Sequence, residues 1–140
     1  MSEVAVNCPK KILIVDDNED SRELVVKALR QSGYVLVQAI DGEEALEKAF
    51  SERPDLILMD RSLPKIDGLE VTRRLRQEEA FKGIPIVAIT AHAMRGDREK
   101  AFAAGCDDYI SKPINVRTLP GQIRSYLEGR SGGILGAEKE

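Results

Sequence analysis

Residues 11–17 read Lys-Ile-Leu-Ile-Val-Asp-Asp, a short run of apolar, largely β-branched side chains that ends in two acids. A continuous apolar run of this length is typical of a strand that is covered on both faces, as in a parallel sheet. Two further runs of the same kind, 55–60 and 84–90, also end in a polar residue. The pattern predicts three buried parallel strands whose carboxyl ends carry polar side chains.

Helical patterns alternate with these strands, and weaker strand patterns lie at 34–39 and 108–111. In the first predicted helix, Leu24, Ala28 and Leu29 form the expected apolar face. Asp41 is the expected N-cap of the second, because Glu44 follows at the spacing of a capping box. The predicted helices are 20–31, 41–51, 67–79, 93–104 and 115–128. Five βα units in series predict a doubly wound α/β fold with right-handed crossovers.

The composition describes a soluble globular chain. It has 140 residues, a net charge of −3 and a pI of about 5.4, whereas nucleic-acid binders usually carry a basic excess. No apolar stretch approaches the roughly 18 residues of a membrane span, and the first residues do not resemble a secretory signal. We therefore expect no direct nucleic-acid binding, no membrane insertion and a cytoplasmic location.

Cys8 and Cys106 lie far apart and make no metal-ligand spacing, so they are expected to be unpaired thiols. Residues 10–128 are predicted to form a single domain, preceded by an extension over 1–9. The Gly-rich, polar stretch 129–140 is predicted to be a flexible tail.

Polar residues follow the predicted strands at one edge of the sheet. Asp16 and Asp17 end the first strand, Asp60 ends the third, Thr90 ends the fourth, and the fifth leads into Lys112. Ligands of doubly wound sheets bind at the carboxyl ends of the strands, where the winding direction reverses. These residues are therefore expected to form one site.

The three acids of this edge favour a bound cation. Ionised carboxylates that converge raise one another's pKa values, and a hard divalent ion such as Mg²⁺ relieves the conflict. Lys112 would add a fixed positive charge, and the Thr90 hydroxyl could bond a phosphoryl oxygen. This combination suits phosphoryl transfer, which needs positioning and charge stabilisation.

Together, the motifs resemble the receiver domains of bacterial two-component response regulators over about residues 10–128. They most resemble the single-domain, cell-cycle-regulator-like type and the receivers fused to hybrid histidine kinases. The motifs are Asp16-Asp17, Asp60 with Leu63-Pro64 and Asp67-Gly68, Thr90-Ala91, residues 93–97, 104–106 and 109–113. The resemblance implies a five-stranded parallel sheet of flavodoxin-like topology with strand order 2-1-3-4-5.

The resemblance also implies a function. Asp60 would take a phosphoryl group from a sensor histidine kinase or a histidine phosphotransferase, and self-catalysed transfer and autodephosphorylation would be its only chemistry. Mg²⁺, with Mn²⁺ as the alternative ion, would be held by Asp17, Asp60 and the Ser62 backbone carbonyl, and by Asp16 directly or through water. The chain would act as a monomer or as a weak, phosphorylation-dependent dimer on a downstream protein.

Further roles follow from the same resemblance. Lys112 would reach the phosphoryl oxygens through a cis bond to Pro113, although the trans form is the default for an X-Pro bond. Thr90 would move toward the phosphoryl group while Tyr109 rotates inward; the alternative for Tyr109 is a static core aromatic. Ser62 and His92 would tune dephosphorylation, or His92 would be an exposed polar residue at a helix entry.

One residue departs from the family pattern, and one pair of residues interrupts a predicted helix. Arg61 follows Asp60 where an uncharged residue is common, and the pattern offers no account of it. Pro120 and Gly121 fall inside the fifth helical pattern, so that helix is expected to start late or to bend.

Rival functions fit the residues less well. Phosphatases and mutases that form an aspartyl phosphate need a second acid two residues after the nucleophile, where this chain has Ser62. Nucleotide and flavin sites need a phosphate-cradling loop after the first strand, where this chain has Asp16 and Asp17. A degenerate receiver that only docks partners would lack one of the acids or the lysine, and all are present.

Overall fold

Five strands alternate with five α-helices over the residues that the structure describes. The computed structural model describes residues 9–91 and 95–128, so His92, Cys8, the predicted tail and nearly all of the predicted N-terminal extension lie outside the described residues. The strands are β1 (Lys11–Val15), β2 (Val35–Ala39), β3 (Leu56–Asp60), β4 (Ile86–Thr90) and β5 (Asp108–Ser111). The helices are α1 (Glu19–Leu29), α2 (Gly42–Glu52), α3 (Gly68–Arg76), α4 (Arg95–Ala104) and α5 (Leu119–Leu127), with short 3₁₀ turns at Arg30–Ser32 and Glu79–Phe81.

The strands form one parallel sheet in the order β2-β1-β3-β4-β5, which confirms the predicted fold and strand order. The register places Val15 beside Met59 and Asp60 beside Ile89, so β1, β3 and β4 end at the same edge. The winding direction reverses between β1 and β3, the place where ligands of such sheets bind.

Helices cover both faces of the sheet, as the continuous apolar runs of the central strands predicted. One face packs against α2, α3 and α4, and the other against α1 and α5. All five residues of β3 and of β4 are buried. Within the described ranges, no helix is both long and apolar enough to cross a membrane.

The apolar face predicted for α1 was partly wrong. Val25 and Leu29 are the buried residues of this helix, whereas 37% of Leu24 is exposed. Val25 and Leu29 are four residues apart and share one side of the helix, and Leu24 lies 100° around the axis from Val25. The first turn itself is fixed by Asn18, whose side chain accepts a hydrogen bond from Ser21 N.

Helix α5 starts late, as the Pro120-Gly121 pair predicted. It begins at Leu119 rather than at residue 115, and Pro120 lies in its first turn, where a missing N–H breaks no helical hydrogen bond. The carbonyl of Asn115 accepts a hydrogen bond from Leu119 N at 3.0 Å and closes the preceding turn. The helix is attached to β5 by the Tyr126 hydroxyl, which donates to Asp108 Oδ2 at 2.6 Å.

The expected capping box of α2 is present in a shifted form. Asp41 accepts a hydrogen bond from Glu44 N at 2.8 Å. The Glu44 carboxylate reaches back to the amide of Ile40 at 2.9 Å, one residue before the N-cap. Helix α3, predicted over 67–79, begins one residue later, at Gly68, with Asp67 as its N-cap, and ends three residues earlier, at Arg76.

Candidate functional site

Three carboxylates meet at the carboxyl edge of the sheet. Asp16 follows β1, Asp17 is the next residue, and Asp60 is the last residue of β3; one oxygen of each lies within 4.8 Å of the others. Asp16 and Asp60 are only 3% and 4% exposed, whereas Asp17 is exposed. The sheet register therefore brings together the acids that the sequence predicted, with two of them out of solvent.

Backbone contacts hold Asp16 at this edge. Its N–H donates to the Ala39 carbonyl at 3.1 Å, which extends the pairing of β1 with β2 by one residue. Its carboxylate Oδ1 accepts a hydrogen bond from Asn18 N at 2.9 Å, in the turn that leads into α1. Both the main chain and the side chain of Asp16 are thus fixed by the local fold.

Asp60 is held between β4 and the start of α3. Arg61 N donates to the Ile89 carbonyl at 2.9 Å, and Ser62 N donates to Asp60 Oδ1 at 3.2 Å. A Cβ atom on Gly68 would stand 2.1 Å from the Asp60 carbonyl oxygen, so only glycine allows α3 to begin this close to β3. The Gly68 amide also donates to the Arg61 carbonyl at 3.1 Å.

The loop between β3 and α3, which carries Ser62, rests on the first turn of α2. A Cβ atom on Gly42 would lie 2.3 Å from the Ile66 carbonyl oxygen, so the two segments are in direct contact. Lys65, whose φ of 70° lies in the left-handed region, is 3.5 Å from both Asp41 Oδ2 and Glu43 Oε1. Ion pairs of an exposed lysine such as Lys65 contribute little stability, and the backbone contact is the stronger restraint.

Lys112 supplies positive charge to the acids. Its Nζ atom lies 3.3 Å from Asp16 Oδ2 and 3.6 Å from Asp60 Oδ2, and its side chain is 23% exposed. The Lys112 amide donates to the Thr90 carbonyl at 2.8 Å, which ties the end of β5 to the end of β4. The bond from Lys112 to Pro113 is cis.

The electrostatics of the site favour a cation. Burial, then the charge of Asp16, raises the pKa of Asp60 to about 7, against the opposing effects of Lys112 and the Ser62 N–H. One ammonium therefore does not balance three carboxylates. A divalent ion would relieve this repulsion, and a donor set made only of oxygen atoms fits Mg²⁺.

Thr90 and Tyr109 lie on the two strands that flank the acids on one side. Thr90 is the last residue of β4 and is 5% exposed. Tyr109, on β5, is half-buried beside the core, and the Arg98 guanidinium lies 5.7 Å from the centre of its ring. The two residues lie on neighbouring strands, where Thr90 pairs with Ser111 and Tyr109 pairs with Ala88. The inward rotation of Tyr109 stays a prediction.

Arg22, on the second turn of α1, contacts the site although its sequence pattern predicted no role for it. Its Nη1 donates to the Asp16 carbonyl at 3.0 Å, and its Nε donates to Gln38 Oε1, also at 3.0 Å. The only signal in the sequence is a basic residue one turn after the N-cap, a pattern that is more often a solvated charge. Gly68 was quoted as part of a motif, but its contact with Asp60 could not be inferred from spacing.

Comparisons with known proteins agree on one family. Residues 12–124 match the response regulator receiver domain. The polar-differentiation response regulator DivK of Brucella anthropi is 46% identical over 119 residues, which cover 85% of this chain and 97% of DivK.

Two solved structures are similar to this chain over most of its length. One is the receiver domain of a Pseudomonas aeruginosa sensor histidine kinase, with a magnesium ion coordinated in its active site cleft. It superimposes with a TM-score of 0.80 at 36% identity and covers 87% of this chain and 100% of that domain. The chemotaxis response regulator CheY4 of Vibrio cholerae gives a TM-score of 0.79 at 32% identity, covering 84% of this chain and 98% of CheY4.

Proposed function

Because the chain belongs to the response regulator receiver domain family, we propose that Asp60 accepts a phosphoryl group from the phosphohistidine of a sensor histidine kinase or a histidine phosphotransferase. The family consists of regulatory phosphoacceptor domains of two-component signalling. The observation that carries the assignment is the position of Asp60, a nearly buried carboxylate within 4.8 Å of two other acids and 3.6 Å from the Lys112 ammonium.

The transfer needs an ionised Asp60. A carboxylate oxygen attacks the phosphorus, an O–P bond forms as the N–P bond of the phosphohistidine breaks, and the imidazole keeps the bonding electron pair. Lys112 pairs with a phosphoryl oxygen and exchanges its contact with Asp60 for that new one. Hydrolysis of the resulting acyl phosphate returns Asp60 to the carboxylate, so the modification is reversible.

Asp16, Asp17, Asp60 and the Ser62 carbonyl would hold Mg²⁺, or Mn²⁺ in its place. When bound, the ion neutralises charge on the carboxylates and on the phosphoryl group in transit. The magnesium in the cleft of the Pseudomonas receiver supports this choice, since that domain is 36% identical to this chain. Asp16 would bind directly or through a water molecule.

The output is proposed to pass through Thr90 and Tyr109 to a protein partner. Thr90 would move toward the phosphoryl group, and Tyr109 would fill the space that it leaves, which changes the surface made by α4, β5 and α5. We expect a downstream protein to bind that surface in the cytoplasm. We also expect the chain to be either a monomer or a weak dimer that forms on phosphorylation. His92 and Ser62 would adjust the rate of hydrolysis.

Incubation with Mg²⁺ and a small acyl-phosphate donor tests the proposal. We expect intact-mass measurement to find one added phosphoryl group that hydroxylamine removes. The Asp60→Asn variant should gain no such group, and an adduct that survives this substitution would refute the assignment. A phosphatase or mutase would instead turn over a phosphorylated small molecule, which the Ser62 position argues against.

A further inference from the structure

Arg22 connects helix α1 to the main chain at the acids. Its guanidinium uses two nitrogen atoms: Nη1 donates to the carbonyl oxygen of Asp16 at 3.0 Å, and Nε donates to Gln38 Oε1 on β2 at 3.0 Å. The side chain is half-buried. Because the guanidinium is planar and rigid, two fixed nitrogen atoms fix the orientation of the whole group.

We propose that Arg22 is a positioning residue for the metal ligands, an inference that rests on the proposed phosphoacceptor function. The Asp16 carbonyl belongs to the peptide unit that joins Asp16 to Asp17. Holding this carbonyl fixes the plane of that peptide, and with it the direction in which the Asp17 side chain leaves the main chain. Arg22 thus acts on Asp17 through the backbone.

The other groups of Asp16 are already restrained, which makes its carbonyl the remaining point of control. The Asp16 N–H is held by the Ala39 carbonyl, and its carboxylate by the Asn18 amide and by Lys112. Asp17, in contrast, is exposed, so the protein interior does not pack around its side chain. The peptide plane is therefore the main structural restraint on where Asp17 points.

Charge and geometry predict opposite effects of Arg22 on metal affinity. A guanidinium close to a cation site repels the cation, so its removal would tighten Mg²⁺ binding if charge alone mattered. If Arg22 positions the ligands, its removal weakens binding in spite of the lost repulsion. Residues that orient metal ligands typically contribute about 10- to 100-fold to metal affinity, and an indirect contact through the backbone belongs at the lower end.

Calorimetric titration of the whole chain with MgCl₂ separates these cases. We expect Arg22→Ala to weaken Mg²⁺ binding about tenfold. Arg22→Lys, which keeps the charge but has a single donor group, should fall between the wild type and Arg22→Ala. Gln38→Ala leaves the charges unchanged and removes the contact that orients the guanidinium, so it should also weaken binding, by a smaller factor. Tighter or unchanged binding in Arg22→Ala would overturn the inference.

A second measurement distinguishes positioning from a general loss of structure. The rate of phosphorylation by acetyl phosphate should be measured against Mg²⁺ concentration, with the thermal unfolding midpoint recorded without metal. In Arg22→Ala the Mg²⁺ concentration at half the maximal rate should rise about tenfold, while the rate at saturating Mg²⁺ returns to that of the wild type. A saturated rate that stays low would contradict positioning of the metal ligands. If Arg22→Ala does not fold, Gln38→Ala carries the test alone.

The Asp17→Asn variant distinguishes a failure of the Arg22 proposal from a failure of the proposed function. It should lose most of its Mg²⁺ affinity because it removes a ligand. If Asp17→Asn weakens binding and the Arg22 and Gln38 variants do not, the metal site stands and the role of Arg22 is refuted. If the wild type binds no Mg²⁺, both fail.

Discussion

Gly68 and Asp60 touch through their backbones, since a Cβ atom at residue 68 would lie 2.1 Å from the Asp60 carbonyl oxygen. Helix α3 therefore starts against the last residue of β3, and the position of Asp60, the proposed phosphoacceptor, depends on the absence of a side chain at residue 68. This contact explains why a glycine follows the N-cap Asp67, where a helix gains nothing from its flexibility.

Gly68→Ala is expected to lower both stability and phosphorylation. The added methyl group meets backbone rather than a movable side chain, and such overpacking costs roughly 1–3 kcal/mol of unfolding free energy. Displacement of Asp60 should also slow its phosphorylation. Chemical denaturation and the acyl-phosphate assay measure the two effects. Gly121→Ala is a matched control, because nothing lies within 4 Å of its added Cβ and alanine favours a helix.

Without metal, the wild type should lose stability as the pH rises from about 4 to about 7, because the pKa of Asp60 is raised from 3.8 to about 7 in the folded state. The folded protein binds the proton more tightly than the unfolded chain in this window, so ionisation at higher pH favours unfolding. Asp60→Asn cannot ionise. Its unfolding midpoint in EDTA should exceed that of the wild type by several degrees at pH 8, with a smaller difference at pH 5.

Saturating Mg²⁺ provides the control for this comparison. The proposed metal site predicts that the ion binds the folded wild type, so Mg²⁺ should raise its unfolding midpoint and remove the advantage of Asp60→Asn at pH 8. Equal midpoints of the two proteins in EDTA at both pH values would show that Asp60 is not destabilised by its neighbours.

Lys112→Met should change metal binding and phosphoryl transfer in opposite directions. Removing an ammonium 3.3 Å from Asp16 and 3.6 Å from Asp60 leaves the acids more negative, so Mg²⁺ should bind more tightly at pH 8.5. Phosphorylation should slow by about 100-fold or more, as is usual when a group that stabilises transition-state charge is removed. Calorimetry and the acyl-phosphate assay report the two quantities. Lys112→Arg, which keeps the charge, is the control and should leave Mg²⁺ affinity near that of the wild type. A loss of both Mg²⁺ affinity and phosphorylation rate in Lys112→Met would contradict this account.

Tyr126→Phe should affect stability alone. The substitution removes the 2.6 Å hydrogen bond to Asp108 Oδ2 at the other end of β5, and a hydrogen bond to a charged group contributes about 1.5–3 kcal/mol. Denaturation should report a loss of this size, while the rate of Asp60 phosphorylation stays unchanged. A slower phosphorylation would mean that α5 influences the acids.

The acids were predictable because the chemistry lies at strand ends. A continuous apolar run in the sequence predicts a buried parallel strand. The residue that ends the run can therefore be assigned to the carboxyl edge of the sheet, as Asp16, Asp60 and Thr90 were. Residues that act from a helix are harder to assign, since the role of Arg22 depends on how close α1 comes to Gln38 on β2. The same limit explains the error at Leu24: periodicity identifies a helix more reliably than the side that faces the sheet.

Of the three acids, only Asp17 is exposed, so the site is open to solvent from the side where Asp17 lies. A phosphorylated donor, a cation and a hydrolytic water molecule would all be able to reach Asp60 from this side. The phosphorylated state would then have a limited lifetime, and residues around the opening would set it without altering the buried carboxylates. Duration of the signal and identity of the reaction would therefore be able to diverge independently in evolution.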